Sequence, residues 1–360
     1  MQECAEGLAW LKFVLSSGKQ SQPEIQDWNK VYEFAFKHSL IGVCNPFIFD
    51  VRLPQNLLFQ WIGEVEQLKC TNRQLNKGAV EVSEFFRNEG FRCCILKGQG
   101  NALMYPDPLL RCPGDIDIWV DADRATLYSF VKNQYPKAKE GVKHISFELA
   151  TDVEIDAHYT PQKMFYPAHN RRLNEWLENQ KETQFNHLVK LPEVSADIVT
   201  PTVQFNAVYQ LGHILMHLLE EGIGLRQFVD YYYVLRECEN LSEEEKNDIK
   251  DTWKRVGTIG LASGVMWIEK ELLGLPESCL LVKPNKCFGL FIAEDILEGG
   301  NFGRHSKWSA FRQKGRIANN VADIWRYIRL MRFMPKEVIF RVLFKLRTAV
   351  KVMKKTVSGL

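Results

Sequence analysis

The sequence predicts an α+β protein, a small mixed β-sheet core flanked by N- and C-terminal helical regions. Three features carry this expectation. Apolar residues recur at helical spacing up to position 90. The pattern then breaks into short strand-like runs between 91 and 200. The helical period returns at Thr202 and continues to the C-terminus. The chain is therefore divided into a helical region (1–90), a core (91–200) and a helical domain with a basic tail (201–360).

In the first region, Pro54 is suited to a first helical turn. After it, Leu57, Trp61, Val65, Leu68, Leu75, Ala79, Val82 and Phe86 form one apolar stripe on a long helix. Glu89-Gly90 reads as its stop. Phe91–Leu96 then reads as a buried strand, Lys97-Gly98-Gln99-Gly100 as a tight connection, and Asn101–Tyr105 as a short helix. A proline-rich loop follows, from Pro106 to Gly114. Asp115–Val120 alternates as a strand, and Asp121 or Asp123 can cap the next helix, which runs to about Asn133. His144–Ala150 and Val153–Tyr159 flank Thr151-Asp152, which suggests an antiparallel hairpin. Phe185–Leu191 is a further strand candidate. Val203–Glu221 and Leu225–Cys238 read as helices, and more follow. Ile317, Val321, Ile324, Ile328 and Met331 make one stripe near the end, and Ile339, Val342, Leu346, Val350 and Met353 make the next.

Composition narrows the function classes. With 46% hydrophobic and 25% charged residues the chain has an ordinary globular balance, which excludes a disordered or collagen-like protein. No apolar run approaches the ~18 residues of a spanning helix. Glu3 and Glu6 precede the apolar stretch Leu8–Leu15, the wrong charge order for a signal peptide. Nine cysteines without a CxxC pair fit reduced thiols in a cytoplasmic protein better than a disulfide framework or a zinc site. The net charge of +2 conceals an asymmetry: Arg304 to Lys355 holds 15 Lys or Arg against Asp323 and Glu337 alone. Such a tail suggests an anionic partner, whether nucleic acid, a membrane surface or an acidic protein. It is equally read as a solvated face that balances an acidic body.

The informative segment is Gly114-Asp115-Ile116-Asp117-Ile118. Alternate strand residues share a face, so Asp115 and Asp117 point one way while Ile116, Ile118 and Val120 enter the core. Two strand rises put the acidic residues about 6.6 Å apart. Side by side, two carboxylates repel, and either one takes a proton or a cation sits between them. Mg²⁺ (or Mn²⁺) fits, because hard ions take oxygen ligands and are often shared with substrate phosphates. On the hairpin, Glu154, Asp156 and His158 share a face. If that strand lies beside the first, Asp156 completes the site, and two metals could activate a hydroxyl and stabilise a leaving oxygen. An acidic strand face that merely meets solvent is the alternative.

The turn adds to this. Gly98 and Gly100 stand where a strand feeds a helix, an arrangement that lets phosphate approach backbone N–H groups. Lys97 and Arg111 could add positive charge against a triphosphate. No Gly-Lys-Ser/Thr follows, so it is not a P-loop. Leu103 stands where a dinucleotide fingerprint needs its third glycine.

This order of Gly turn, short helix, Asp-x-Asp strand and later acidic strand resembles the nucleotidyltransferase fold of the DNA polymerase β superfamily. Leu96-Lys97-Gly98, Tyr105-Pro106, Arg111, Gly114-Asp115-Ile116-Asp117, Asp156-Ala157-His158-Tyr159 and Gly224 to Asp230 look like a bacterial family of uncharacterised nucleotidyltransferases. The resemblance runs from Phe91 to Cys238. It implies a polymerase β-like palm and metal-dependent transfer of a nucleoside monophosphate from a nucleoside triphosphate to an acceptor, with release of pyrophosphate. Asp115, Asp117 and Asp156 would be the catalytic metal ligands, and Asp156 could help activate the acceptor hydroxyl. The turn Lys97, Gly98, Gln99, Gly100, with Arg111 and Gly114, would hold the nucleotide. Gly98-Gln99 replaces the superfamily's usual Gly-Ser or Gly-Gly. A saccharide, a small molecule, RNA or a protein all fit as acceptor.

Further residues are weaker candidates for an acceptor contact or a supporting role. His213 and His217 share a helix face, open to a reading as a metal pair joined by Glu220, a wall of the site, or packing. Arg226 and Asp230 can pair on one face, and Arg226 could reach phosphate. His158 could tune the third carboxylate or contact the acceptor. Two rivals stay open: a nucleotide-binding or regulatory protein of the same fold without turnover, and a toxin-type transferase directed at tRNA.

Overall fold

The computed structural model describes residues 4–149, 153–220, 222–301 and 316–357. Helices α1 (Ala5–Leu15), α2 (Trp28–Lys37) and the long α3 (Gln55–Asn88) lead to β1 (Cys93–Leu96). The expected stripe on α3 is buried at Leu57, Trp61, Val65, Leu75, Ala79, Val82 and Phe86. Next come α4 (Gly98–Ala102), β2 (Ile116–Val120), α5 (Arg124–Gln134), β3 (Lys139–Glu140), β4 (His144–Glu148) and β5 (Glu154–His158). Helix α6 (Pro167–Gln184) precedes a separate ribbon, β6 (Leu188–Lys190) with β7 (Asp197–Val199). The chain then stays helical: α7 (Val203–Glu220), α8 (Leu225–Cys238), α9 (Glu243–Val256), α10 (Ile259–Glu271), α11 (Lys286–Gly299), α12 (Arg316–Met331) and α13 (Pro335–Val357).

Boundaries differ from expectation in informative ways. The short helix opens at Gly98, not Asn101, because Lys97 and Gly98 turn the chain at once with positive φ (48° and 38°). Asp115 lies just before its strand. Asp123, rather than Asp121, caps α5 by accepting from the Thr126 backbone N–H. Phe185 ends a helix instead of starting a strand. The hairpin turn Thr151-Asp152 and Glu221 lie outside the described residues. Cys93 and Cys94 are buried and all nine thiols are free, but Cys70 and Cys287 are exposed.

The main sheet has five strands in the order β1-β2-β5-β4-β3. Only β2 and β5 run parallel; the other neighbours are antiparallel. Alternation gives the sheet two unlike faces. Cys93, Ile95, Ile116, Ile118, Val120, Ile145, Ile155 and Ala157 pack beneath α3 and α5 as one apolar core. On the other face Cys94, Leu96 and Trp119 join a second, larger core that ties α1 and α2 to the helices after β7. Trp119 stacks on Phe205 of α7 at 5.8 Å between ring centroids. That contact anchors α7 across one end of the face, and the polar end is left as a cleft.

The proline-rich loop is fixed to α3. Asn72 donates through Nδ2 to the carbonyls of Leu109 and Arg111, at 2.7 and 2.8 Å. Gly42 approaches the same loop so closely that a Cβ would stand 2.1 Å from the Leu110 oxygen, so only glycine fits there.

Candidate active site

The polar end of the sheet and the facing sides of α7 and α8 enclose a cavity of about 500 Å³. Register explains why the acids meet. Parallel pairing sets Asp117 directly opposite Asp156 and Trp119 opposite His158. Asp115, Asp117 and Asp156 bring one carboxylate oxygen each to within 4.8 Å of one another. Asp117 is buried, whereas Asp115 is exposed at the rim.

The electrostatics split these acids. Burial alone would raise Asp117, but Lys97 and then the His158 hydrogen bond pull it well below the usual carboxylate range. The Lys97 ammonium lies 2.7 Å from Asp117 Oδ2, and His158 Nε2 lies 2.7 Å from Oδ1. Asp115 is pushed up, chiefly by the neighbouring Asp117 charge. Asp156 is oriented by Ser146, whose Oγ donates to Oδ1 at 2.6 Å, while His144 Nε2 stands 3.6 Å from Oδ2.

Lys97 is held in a strained backbone conformation, φ 48° and ψ −129°. Such outliers typically cost ~1–3 kcal/mol and persist only where surrounding contacts impose them. Here the strain turns the side chain into the cleft, where its Nζ is also 3.3 Å from His213 Nε2. His217 Nε2 is 2.8 Å from that same atom. We assign His213 Nε2 as the acceptor of both. Burial, followed by the Lys97 charge, pushes His213 well down and His217 down to about 3, so both rings are neutral. Burial likewise lowers His158 to about 4, and a neutral ring donates to Asp117.

Several expected residues take different partners. Arg111 does not offer an open charge: its Nε and Nη2 make a buried bidentate pair with Asp230, both at 2.8 Å, and the Tyr105 hydroxyl donates to the same carboxylate at 2.6 Å. Asp230 is thus committed to Arg111 rather than Arg226, because the loop brings the guanidinium beside α8. Arg226 donates to the Pro113 carbonyl at 2.9 Å and borders the cleft beside Gly114. Gly98 faces the cleft, but Gln99 is buried and Gly100 packs on Thr200, where a Cβ would come within 3.1 Å. Glu154 lies at the exposed start of β5 beside Glu148, away from the cleft. His213 and His217 line it. Glu220 pairs with Arg341 at 3.0 Å. Among the described residues the three-membered groups able to hold a metal are Asp115-Asp117-Asp156 and His144-Asp156-His158, not His213-His217-Glu220.

Sequence reasoning missed Lys143, His144, Ser146 and Gln210. Lys143 lines the cleft, and burial, aided by Lys97, lowers its amine to about 8. His144 and Ser146 were recoverable from register: antiparallel pairing sets them opposite His158 and Asp156. A two-residue turn at Thr151-Asp152 would instead have placed Phe147 opposite Asp156, one residue out of phase.

A crystal structure of an antigenic nucleotidyltransferase-like protein from Paracoccidioides brasiliensis matches over 51% of this chain and 88% of its own, at 14% identity and a TM-score of 0.31. No curated protein matches the chain. Residues 24–268 match the model of a family described as uncharacterised nucleotidyltransferase, and that stretch takes in α2 through most of α10 with every cleft strand. The chain is a member of this nucleotidyltransferase family and thereby a transferase.

Proposed function

We propose that the protein moves a nucleoside monophosphate from a nucleoside triphosphate to an acceptor hydroxyl, with Mg²⁺ or Mn²⁺ as cofactor. The observation that supports this is the convergence of Asp115, Asp117 and Asp156 at one end of a polar cavity. Their all-oxygen donor set suits a hard divalent ion. Bound there, such an ion would neutralise phosphate charge and make the acceptor hydroxyl easier to deprotonate.

This chain's own groups supply the rest. Asp115 and Asp117 hold the cofactor, and His158 fixes the Asp117 rotamer through its Nε2 hydrogen bond. Asp156, aimed by Ser146, takes the proton as the acceptor oxygen bonds to the α-phosphorus. The bond from that phosphorus to the bridging oxygen breaks, and pyrophosphate leaves with the electron pair. Lys97 and Lys143 face the polyphosphate, with Gly98 permitting its approach.

The test is incubation with each α-labelled triphosphate, Mg²⁺ or Mn²⁺, and an extract containing candidate acceptors. Label entering a product, lost with chelator and in Asp117→Asn, supports the reading. Label transfer that survives Asp117→Asn defeats it.

A further inference from the structure

The last two helices turn the wrong way for ordinary amphipathic helices. Ala322, Tyr327, Leu330, Met334 and Val338 pack inward. The stripes with the strongest helical periodicity face out instead. Ile324, Ile328 and Met331 on α12 are 57, 61 and 38% exposed. Ile339, Leu343, Leu346 and Val350 make one ridge along α13, each more than 40% exposed. The side chains of Ile317, Val321 and Met353 lie outside the described residues.

Charge is sorted just as sharply. The pair's two acids are both buried: Asp323 pairs with Lys345, and Glu337 accepts from the Phe165 and Tyr166 backbone and pairs with His169. No acid remains on the outer face among the described residues, whereas Arg332, Lys336 and Arg347 are exposed. Lys336 and Arg347 stand eleven residues apart, close to three whole turns, so a cationic row accompanies the apolar ridge.

We propose that this outer face docks on an anionic lipid surface, with the ridge at the boundary between headgroups and acyl chains. Apolar ridge and cationic flank together are what an interfacial helix needs, and neither alone would do. No helix among the described residues is long and apolar enough to cross a membrane, so the pair lies on the surface. A second copy of the chain would set cations against cations with no acid to answer them. Nucleic acid would gain from the cations but leave the aliphatic ridge uncovered. Arg341 of α13 pairs with Glu220, which lines the cleft, so docking would fix the cleft relative to the membrane. The inference stands on this surface and does not depend on the proposed reaction.

The test is flotation of the full chain with vesicles of phosphatidylcholine alone or mixed with phosphatidylglycerol. The mixed vesicles should bind it, salt should weaken the binding, and L343E/L346E should cut partitioning roughly tenfold or more with an unchanged melting temperature. K336Q/R347Q, which spares the ridge, should also weaken it by roughly tenfold or more. Equal partitioning into both vesicle types overturns the proposal. So does an absence of vesicle binding, whether the face then proves to form a dimer that L343E/L346E dissociates or a salt-sensitive RNA site.

Discussion

Lys97 places its ammonium 2.7 Å from the Asp117 carboxylate, and the backbone accepts a φ of 48° to let it do so. The buried acid is thereby kept ionised without a metal. The same oxygen is one that a divalent cation would use, so lysine and cation compete for it. Lys97→Met should therefore raise Mn²⁺ affinity of the nucleotide-free protein about tenfold, a difference of about 1.4 kcal/mol. It should also weaken triphosphate binding. Titration followed by the signal of free Mn²⁺ checks the first effect; unchanged or weaker metal binding counts against the competition.

His158 acts on Asp117 and has no assigned contact with substrate. His158→Gln should lower kcat by about 10–100-fold, the usual range for a group that orients a metal ligand, and leave the KM for nucleotide nearly constant. Steady-state kinetics separates the two. A change confined to KM would place His158 against the nucleotide instead.

The Arg111–Asp230 pair makes a stability prediction. Burial would raise Asp230, but Arg111 outweighs it and holds the carboxyl below its ordinary value. A depressed carboxyl contributes stability above its unfolded pKa of ~3.9 and loses it as pH falls through the lower folded value. Asp230→Asn leaves a buried guanidinium without its counter-charge and should cost about 3–5 kcal/mol at pH 7. The gap from wild type should narrow below about pH 4. Denaturant titrations at both pH values measure it.

Glu269 predicts the opposite sign. It is fully buried in α10, neither carboxyl oxygen has a hydrogen-bond partner among the described residues, and burial raises it well above its usual value. The folded state binds the extra proton, so stability falls as pH rises above ~4.3, the unfolded value. Glu269→Gln should match wild type near pH 4 and exceed it by about 1–3 kcal/mol at pH 8. A constant difference across that range would contradict this.

Much of the site is legible in the sequence because strand alternation is a local rule. Asp115, Asp117, Asp156 and His158 follow from period two, and the parallel register adds only their distance. What the sequence hides is non-local. Arg111 finds Asp230 across a separation of 119 residues, while a helix-spacing argument offers Asp230 to Arg226, four positions away. Lys143 stands in a loop with no pattern, and only burial marks it. The terminal helices show a further limit. Periodicity identifies a helix and its apolar stripe, but at Ile328 and Leu346 the stripe faces out, while Val342 of the same stripe packs against the core. The inward contacts are made by the less periodic Ala322, Tyr327 and Leu330.

The decisive measurement is the linkage between metal and nucleotide in the intact chain, read as the affinity for a non-hydrolysable triphosphate with and without Mn²⁺. If the three carboxylates hold the cofactor beside the polyphosphate, Mn²⁺ should tighten nucleotide binding at least about tenfold, and Asp117→Asn should abolish that gain while the protein stays folded. Nucleotide bound equally with and without Mn²⁺, or a gain that persists in Asp117→Asn, would contradict it.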